Sequence, residues 1–362
     1  MSLKEELEIL QGVPFEVFDG NPADIPCIET SDEEKLCKHP VVSVCMVTYN
    51  HEPFIRQAIE GVMIQKTDFE FELVIGEDAS QDKTREICFE YQKKFPDKIR
   101  VLWWHENVSK LGGNGRRVRA HCRGEFIAFC EGDDYWIDNN RLSKQVSHIR
   151  KHAAGLCVGK TIKVFPDGHK EPDAFSFPET IDIDFLKKPY FHTSTYLVRR
   201  EVYEKACATY RKMGSAWWDV TLLFCIASLS KVVFLDEFIS IRRITGHGIA
   251  SSLSKRQFCC LMLRQYLPLY RFGPKGEIRR YFAKRALSHI RQLVLFTDKD
   301  STEWLKTKRY LLFRLFAEIS VHEILFHCYT GTRDLFRFIR IMTPIFFGKP
   351  AKNGTPDEAR EY

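Results

Sequence analysis

A chain of 362 residues with 44% hydrophobic and 28% charged side chains carries enough apolar surface for a full core, which excludes a disordered or fibrous protein. The formal net charge of +6 is unevenly carried: residues 255–349 hold 19 Lys and Arg against 7 Asp and Glu, whereas residues 1–254 hold 33 against 38. No run of about 18 apolar residues is present to span a bilayer and no secretory leader precedes the first strand, so the chain reads as cytoplasmic. The 12 cysteines include no Cys-x-x-Cys pair and several lie in apolar runs, as expected of reduced core thiols.

Residues 1–40 mix acids and prolines with little periodicity and read as an extension, with one short helix over Leu3–Leu10. Regular architecture begins at Val41–Val47, a continuous β-rich apolar run suited to a parallel strand covered on both faces. It stops at Thr48-Tyr49-Asn50-His51, after which Phe54, Ala58 and Val62 with Ile55, Ile59 and Met63 fall on one helical face. Pro53 fits the first turn of that helix. The unit repeats with a strand at Phe71–Gly76, a polar loop at Glu77–Asp82 and a helix over Thr84–Phe95, which Asp82 or Ser80 would cap. A third strand at Ile99–Trp104 and a fourth at Phe126–Cys130 follow. Alternating strands and helices at this spacing predict an α/β protein with a mostly parallel, Rossmann-like sheet flanked by helices.

Ligands of such sheets collect beyond the carboxyl ends of the strands. Those ends are Thr48-Tyr49-Asn50, Glu77-Asp78, His105-Glu106-Asn107 and Glu131-Gly132-Asp133-Asp134. Asp and Asn at such places can also be plain turn formers and caps. The last string is different, because it sets three carboxylates within four residues, and like charges so close repel unless a cation sits among them.

Downstream, Leu142–Ile149 reads as a helix, Leu156–Gly159 and Thr161–Phe165 as a hairpin-like pair, Pro172–Thr180 as a loop and Thr193–Val198 as a strand. Ser215–Leu222 puts Asp219 beside Trp217 and Trp218 at the start of an apolar helix, and a strand at Lys231–Leu235 leads to Ile241–Gly248. From residue 255 the chain reads as helices rich in Leu, Phe, Tyr, Lys and Arg. Gly112-Gly113-Asn114-Gly115, next to Arg116, Arg117 and Arg119, lacks the spacing of a phosphate-cradling loop. It reads as a flexible loop opening a helix, with a ligand contact from Asn114 or an arginine as the alternative. His51, His105, His121 and His192 share no metal-ligand spacing.

The ordered set Val47-Thr48-Tyr49-Asn50-His51-Glu52, Glu77 to Thr84, Glu131 to Trp136, His192 to Thr195, Trp217-Trp218-Asp219 and Arg243 to His247 resembles the bacterial family 2 glycosyltransferases of the GT-A fold over residues 41–250. The resemblance implies a catalytic domain at 41–250, a basic, aromatic-rich helical region at 251–349 and a polar tail at 350–362. It implies an inverting sugar transfer from a nucleotide-sugar donor, with UDP the expected nucleotide, to a glycan or lipid-linked saccharide of the cell surface. Thr48, Tyr49, Asn50 and Glu52 would line the nucleotide, Asp78 would accept from the uracil imide N–H, and Asn107 and Asn114 would complete that wall. Asp133 would hold Mg²⁺ or Mn²⁺, the hard cations that carboxylate and diphosphate oxygens suit, with His247 approaching the same metal or the pyrophosphate. Glu131 and Asp134 would lie near ribose, sugar or metal. Asp219 would be the base, Trp217 and Trp218 would desolvate it and stack on the acceptor sugar, and His192 would lie on the acceptor side.

The chain departs from the family pattern at Lys83, where glycine is frequent, at Asn107-Val108-Ser109 in place of Asn-x-Gly, and at Glu131 in place of Asp. The basic C-terminal block is either a solvated face of packed helices or a device for docking on anionic membrane, to which Tyr310–Phe316 and Phe336–Met342 contribute aromatic stripes. The second reading would put the protein on the inner face of the cell membrane. No motif supports nucleic-acid binding. A catalytically silent nucleotide-sugar-binding or membrane-binding protein on the same fold is the competing function.

Overall fold

The computed structural model describes residues 26–108, 114–181, 183, 191–213, 219–246, 253–273, 276–295 and 319. They fall into two compact units, one up to residue 252 and one from residue 253. The first begins with β1 (Ile28–Thr30), β2 (Val42–Thr48), α1 (Ile55–Met63), β3 (Phe71–Glu77), α2 (Thr84–Lys94), β4 (Ile99–Trp103), α3 (Asn114–Ala120) and β5 (Phe126–Glu131). It continues through β6 (Tyr135–Trp136), α4 (Arg141–His152), β7 (Leu156–Val164), β8 (Lys170–Pro172), β9 (Thr180–Ile181), β10 (Leu197–Arg199), α5 (Arg200–Met213), α6 (Asp219–Leu229) and β11 (Val232–Arg243).

These strands form one sheet in the order β1-β4-β3-β2-β5-β10-β7-β11-β6, with β8 on β7 and β9 on β11. β4, β3, β2 and β5 pair in parallel. β10 runs antiparallel to both β5 and β7, so β7 regains the direction of β5, and β11 follows it in parallel. All the long strands therefore point one way. Their carboxyl ends, at Thr48, Glu77, Trp103, Glu131, Val164 and Arg243, share one edge of the sheet.

Period-two alternation sorts β2 between two layers. Val42, Val44 and Met46 join Ile55, Ile59 and Val62 of α1, Ile87 and Cys88 of α2 and Leu142, Val146 and Ile149 of α4 in one apolar core. Ser43 and Cys45 face the other way. Ser43 Oγ donates to the wholly buried Glu72 over 2.6 Å, and Cys45 Sγ lies 4.0 Å from the Gly115 carbonyl oxygen. Glu72 also accepts from Arg123 Nη2 at 2.6 Å and Arg100 Nη1 at 3.3 Å, so its charge is met by two guanidinium groups.

Four expectations change. Leu156 to Val164 is one continuous strand rather than a hairpin, because Gly159 is a packing site and not a turn. A Cβ there would lie 2.6 Å from Ile239 Cδ1 of β11. The register of β11 against β7 shifts between Leu235 and Phe238 and again between Phe238 and Ser240. Thr193–Thr195 forms a 3₁₀ turn, leaving only Leu197–Arg199 extended. The end of the N-terminal extension contributes β1, an edge strand on β4, and the Pro172–Thr180 loop is bracketed by the short strands β8 and β9.

The second unit contains α7 (Lys255–Phe272) and α8 (Glu277–Leu295). Ser254 and Gln257 form a reciprocal capping box at the start of α7. Leu263, Leu267, Phe282, Ala286 and Ile290 are buried, and the Tyr266 and His289 rings stack at 5.7 Å. Leu3–Leu10, Tyr310–Phe316, Phe336–Met342 and the tail lie outside the described residues. Among the described residues no helix is long and apolar enough to cross a membrane.

Glu72 makes the paired and the exposed ion pairs separable by experiment. Glu72→Ala removes the buried acceptor shared by Ser43, Arg123 and Arg100, although Arg100 keeps its pair with Glu29, and is expected to lower the unfolding free energy by about 1–3 kcal/mol in urea denaturation. Arg56→Ala, at the exposed Arg56–Glu90 pair, is expected to leave the midpoint within error. Equal effects would mean that burial does not set the worth of these pairs.

Candidate active site

At the shared edge, the loops after β2 and β3 brace each other. Asn50 adopts a left-handed conformation, with φ 54°. Its N–H donates to Ser80 Oγ at 2.9 Å and its Oδ1 accepts from Gln81 N at 2.8 Å. The Glu52 N–H donates to Asp82 Oδ2 at 3.0 Å, and Glu52 Oε2 accepts from Lys83 N at 3.1 Å. Asp82 Oδ1 accepts from Thr84 N at 3.0 Å in the turn that leads into α2, but the N-cap is Lys83 and neither Asp82 nor Ser80 occupies it. Glu77 is buried beneath this pair of loops. Its Oε1 accepts from Ser80 N at 2.7 Å and its Oε2 from Arg85 Nε at 2.5 Å, which holds Ala79 in its left-handed turn at φ 60°.

The same edge holds Thr48 and Asp78. Thr48 is buried, with its Oγ1 at 3.2 Å from His51 Nδ1, whereas Tyr49 is 41% exposed. The Asp78 N–H donates to the Thr48 carbonyl at 3.1 Å, and Asp78 Oδ1 accepts from Val108 N at 2.7 Å. Asn107 Nδ2 donates to the Asp78 carbonyl at 3.3 Å. Asn114 is buried and reaches back to the Gly76 carbonyl at 2.9 Å, beneath β3 rather than at the rim.

The acid string occupies the turn after β5. The Gly132 N–H donates to the Val47 carbonyl at 2.8 Å, and a Cβ on Gly132 would lie 2.7 Å from Thr48 Oγ1 and 2.9 Å from His51 Nδ1. Only glycine lets the acids on either side of it approach β2 so closely. Asp134 is buried and tied down: its Oδ1 accepts from the Arg243 N–H at 3.0 Å and its Oδ2 from Ser194 Oγ at 2.6 Å. Glu131 Oε1 accepts from Thr193 Oγ1 at 3.4 Å. Thus Glu131 and Asp134 both meet the 3₁₀ turn that precedes β10, while Arg243 Nη1 donates to the Asp133 carbonyl at 2.7 Å.

Charge builds up at this edge. Burial, then Asp133, Asp134 and Asp219, push the Glu131 carboxyl well above its usual range, with Arg119 opposing. Burial and Asp133 push Asp134 up to about 7. Asp219, at the start of α6, rises to about 6 through burial, against the pull of Arg119 and Arg242. His192 Nδ1 lies 3.4 Å from Asp134 Oδ2, but burial and Arg242 push its imidazole down to about 3, so the contact joins a neutral ring to the acid. The structure therefore brings Thr48, Asp78, Glu131, Asp133, Asp134, His192 and Asp219 to one edge of the sheet. It uses Asn50 and Glu52 in loop bracing. Trp217, Trp218 and His247 lie outside the described residues. Glu77 and Ser194 carry no individual role in the sequence, and Arg119 enters there only among the arginines offered as an alternative ligand contact, not as a counter-charge to Glu131 and Asp219. A buried acid directly before Asp78 was the available signal for the first, and nothing local marks the other two.

The glycosyl transferase family 2 profile matches residues 43–207. The putative glycosyltransferase EpsE of Bacillus subtilis is 33% identical over 278 residues, covering 70% of this chain and 98% of EpsE. The chain belongs to glycosyltransferase family 2. An uncharacterised protein of Mycobacterium tuberculosis is 30% identical over 213 residues, and this family 2 chain covers 60% of its length. Staphylococcus aureus TarS 1–349 in complex with UDP superposes with a TM-score of 0.56 at 16% identity, over 87% of this chain and 94% of that one. The mannosyltransferase PcManGT of Pyrobaculum calidifontis, in complex with GDP-Man and Mn²⁺, gives 0.50 at 14% identity, over 88% and 90%. These likenesses identify the fold as GT-A.

The crowded glycine of this family 2 chain gives a direct test. Gly132→Ala is expected to cost about 1–3 kcal/mol in urea denaturation and to shift the imidazole NMR signals of His51. Wild-type stability with unchanged His51 signals would mean that the turn relaxes without moving Thr48 or His51.

Proposed function

We propose that the protein is an inverting glycosyltransferase that moves a sugar from a nucleotide-sugar donor, with UDP as the nucleotide, to a glycan or lipid-linked saccharide in building a cell-surface polysaccharide. The observation that carries this reading is the gathering of Thr48, Asp78 and the acid string of β5 at the carboxyl edge of the parallel strands, with Asp219 at the start of α6 contributing to the field at Glu131. A transferase of this kind needs acids in two roles, one set at the leaving diphosphate and one at the incoming hydroxyl.

The donor set suits a hard divalent cation. Among the described residues no group of three His, Cys, Asp or Glu side chains is gathered to cage a metal. Mg²⁺ in nucleotide sites is held by one or two carboxylates and completes its shell with phosphate oxygens and water, which fits a single ligand such as Asp133. Asp133 would hold Mg²⁺ or Mn²⁺, with Glu131 close by and His247 as a further contact. Bound there, the cation would offset the negative charge that grows on the departing diphosphate. Asp78, with one oxygen held by the Val108 N–H, is oriented to accept from a uracil imide. Thr48 would pack against the nucleotide, and Tyr49, exposed at the rim, would flank it.

Asp219 would take the proton from the acceptor hydroxyl as that oxygen attacks the anomeric carbon from the face opposite the diphosphate, which inverts the centre. A carboxylate raised to about 6 is a stronger base than an ordinary aspartate and is still mostly ionised at neutral pH. Trp217 and Trp218, next to it in sequence, offer stacking faces to an acceptor sugar. Supporting the class of substrate, the putative teichuronic acid biosynthesis glycosyltransferase TuaG of Bacillus subtilis is 26% identical over 163 residues. The excess of Lys and Arg in residues 255–349 suits docking on anionic membrane, where lipid-linked acceptors reside.

A panel of nucleotide sugars with Mg²⁺ or Mn²⁺, followed by nucleoside diphosphate release, tests the activity; UDP binding without turnover of any donor would favour a binding protein on this fold. Asp219→Asn is expected to lower kcat by about 10²–10⁴-fold while donor binding persists. Because the base must be deprotonated, kcat/KM should rise with pH through an ionisation near 6 and level off above it. A profile flat from pH 5 to 8 in the wild type would remove Asp219 from that role. Liposome flotation with anionic lipid at low salt tests the membrane contact, and failure to float would end that part of the proposal.

A further inference from the structure

Arg243 enters the sequence only as the first residue of the string that ends at His247, with no role attached. In the fold it closes β11 and makes contacts to the acid turn and to α1 at once. Its main-chain N–H donates to Asp134 Oδ1 at 3.0 Å, its Nη1 to the Asp133 carbonyl at 2.7 Å and its Nη2 to Gln57 Oε1 of α1. Its Cζ lies 4.5 Å from the centroid of the Tyr135 ring and 5.0 Å from that of Phe54. Two aromatic faces and acceptors on two separate segments leave this side chain one arrangement.

Asp133 is held in a complementary way. Among the described residues no hydrogen bond ends on its carboxylate, so the recorded anchoring of Asp133 is through its backbone. The backbone is held at its carbonyl by a residue 110 positions away. The next residue, Asp134, is held by the main chain of the same arginine.

We propose that Arg243 is a positioning residue that fixes the Asp133 peptide, through a clamp shared with Gln57 and packed against Tyr135 and Phe54, so that the Asp133 carboxylate stays aimed at the divalent cation; this rests on the reading of Asp133 as metal ligand. Lysine cannot replace it. An ammonium has no planar fork to reach the Asp133 carbonyl and Gln57 together and no delocalised face to offer the neighbouring rings. Groups that orient a metal ligand from behind act on metal affinity without touching the ion.

The test uses the full chain and reads metal binding directly. Mn²⁺ is titrated with UDP present and followed by the EPR signal of the free ion, and UDP binding in EDTA is measured separately by calorimetry. Arg243→Lys is expected to weaken Mn²⁺ binding about 10–100-fold while leaving UDP affinity in EDTA unchanged. Gln57→Ala, which trims one end of the clamp at the surface, is expected to weaken Mn²⁺ binding in the same direction by less. It decides the matter if Arg243→Lys does not fold. Wild-type Mn²⁺ affinity in these variants overturns the proposal, as does an equal loss of UDP affinity in EDTA, which would signal collapse of the pocket instead. Asp133→Asn separates the two levels: if it leaves Mn²⁺ binding intact, the metal reading itself fails and the clamp with it. If Asp133→Asn abolishes binding and Arg243→Lys does not alter it, only the role of Arg243 is wrong.

Discussion

Mutual repulsion among Glu131, Asp133 and Asp134 is the constraint around which this edge of the molecule is arranged. Three carboxylates at the end of a buried strand would drive the turn open unless donors were fixed beside them. The chain supplies those donors from far away in sequence: Thr193 and Ser194 from the turn before β10, Arg243 from the end of β11, and the field of Arg119 from α3. Asp134 is satisfied by protein alone, whereas Asp133 keeps its carboxylate clear of hydrogen bonds among the described residues.

The 3₁₀ turn that serves Asp134 depends in its own right on a buried cation. Arg141 is wholly buried, lies 3.8 Å over the Trp136 ring, and donates Nη1 to the Ser194 carbonyl at 2.5 Å and Nε to Gln145 Oε1 at 2.9 Å. Burial pushes its guanidinium down to about 9, still charged at neutral pH. Gln145 Nε2 adds a bond to the Thr195 carbonyl at 2.8 Å. A helix that the sequence reveals only by its apolar stripe thus carries, on its buried polar side, the support for a turn more than 50 residues away.

What was legible in the chain follows from range. The strands β2, β3, β4 and β5 and the helices between them are written in local periodicity, because each is a continuous apolar run or a stripe with polar ends. The placement of Thr48, Asp78 and the acid string at one edge followed from parallel strands alone. Gly159 misled because a glycine between two β-rich runs has the same appearance whether it turns the chain or admits a neighbouring isoleucine. The contacts of Asn50 and Glu52 with the Ser80–Lys83 loop, and of Arg243 with Asp133, join segments whose meeting is decided by sheet order. Sheet order is written in no single stretch. That β10 reverses direction between β5 and β7, and so lets β11 bring Arg243 to the acids, is a property of pairing rather than of composition.

The irregular pairing of β11 with β7 has a consequence for how this strand can vary. Side chains along a strand alternate between faces, so each inserted or deleted residue inverts everything beyond it. The shifts between Leu235 and Phe238 and between Phe238 and Ser240 lie upstream of Arg243, and they set the phase in which Ile239 meets Gly159 and Arg243 meets Asp133. Losing a single residue from that stretch would turn the arginine to the opposite side of the sheet while leaving most of the strand intact. The two irregularities therefore act as a frame-setting device, tolerant of changes in side chain and intolerant of changes in length.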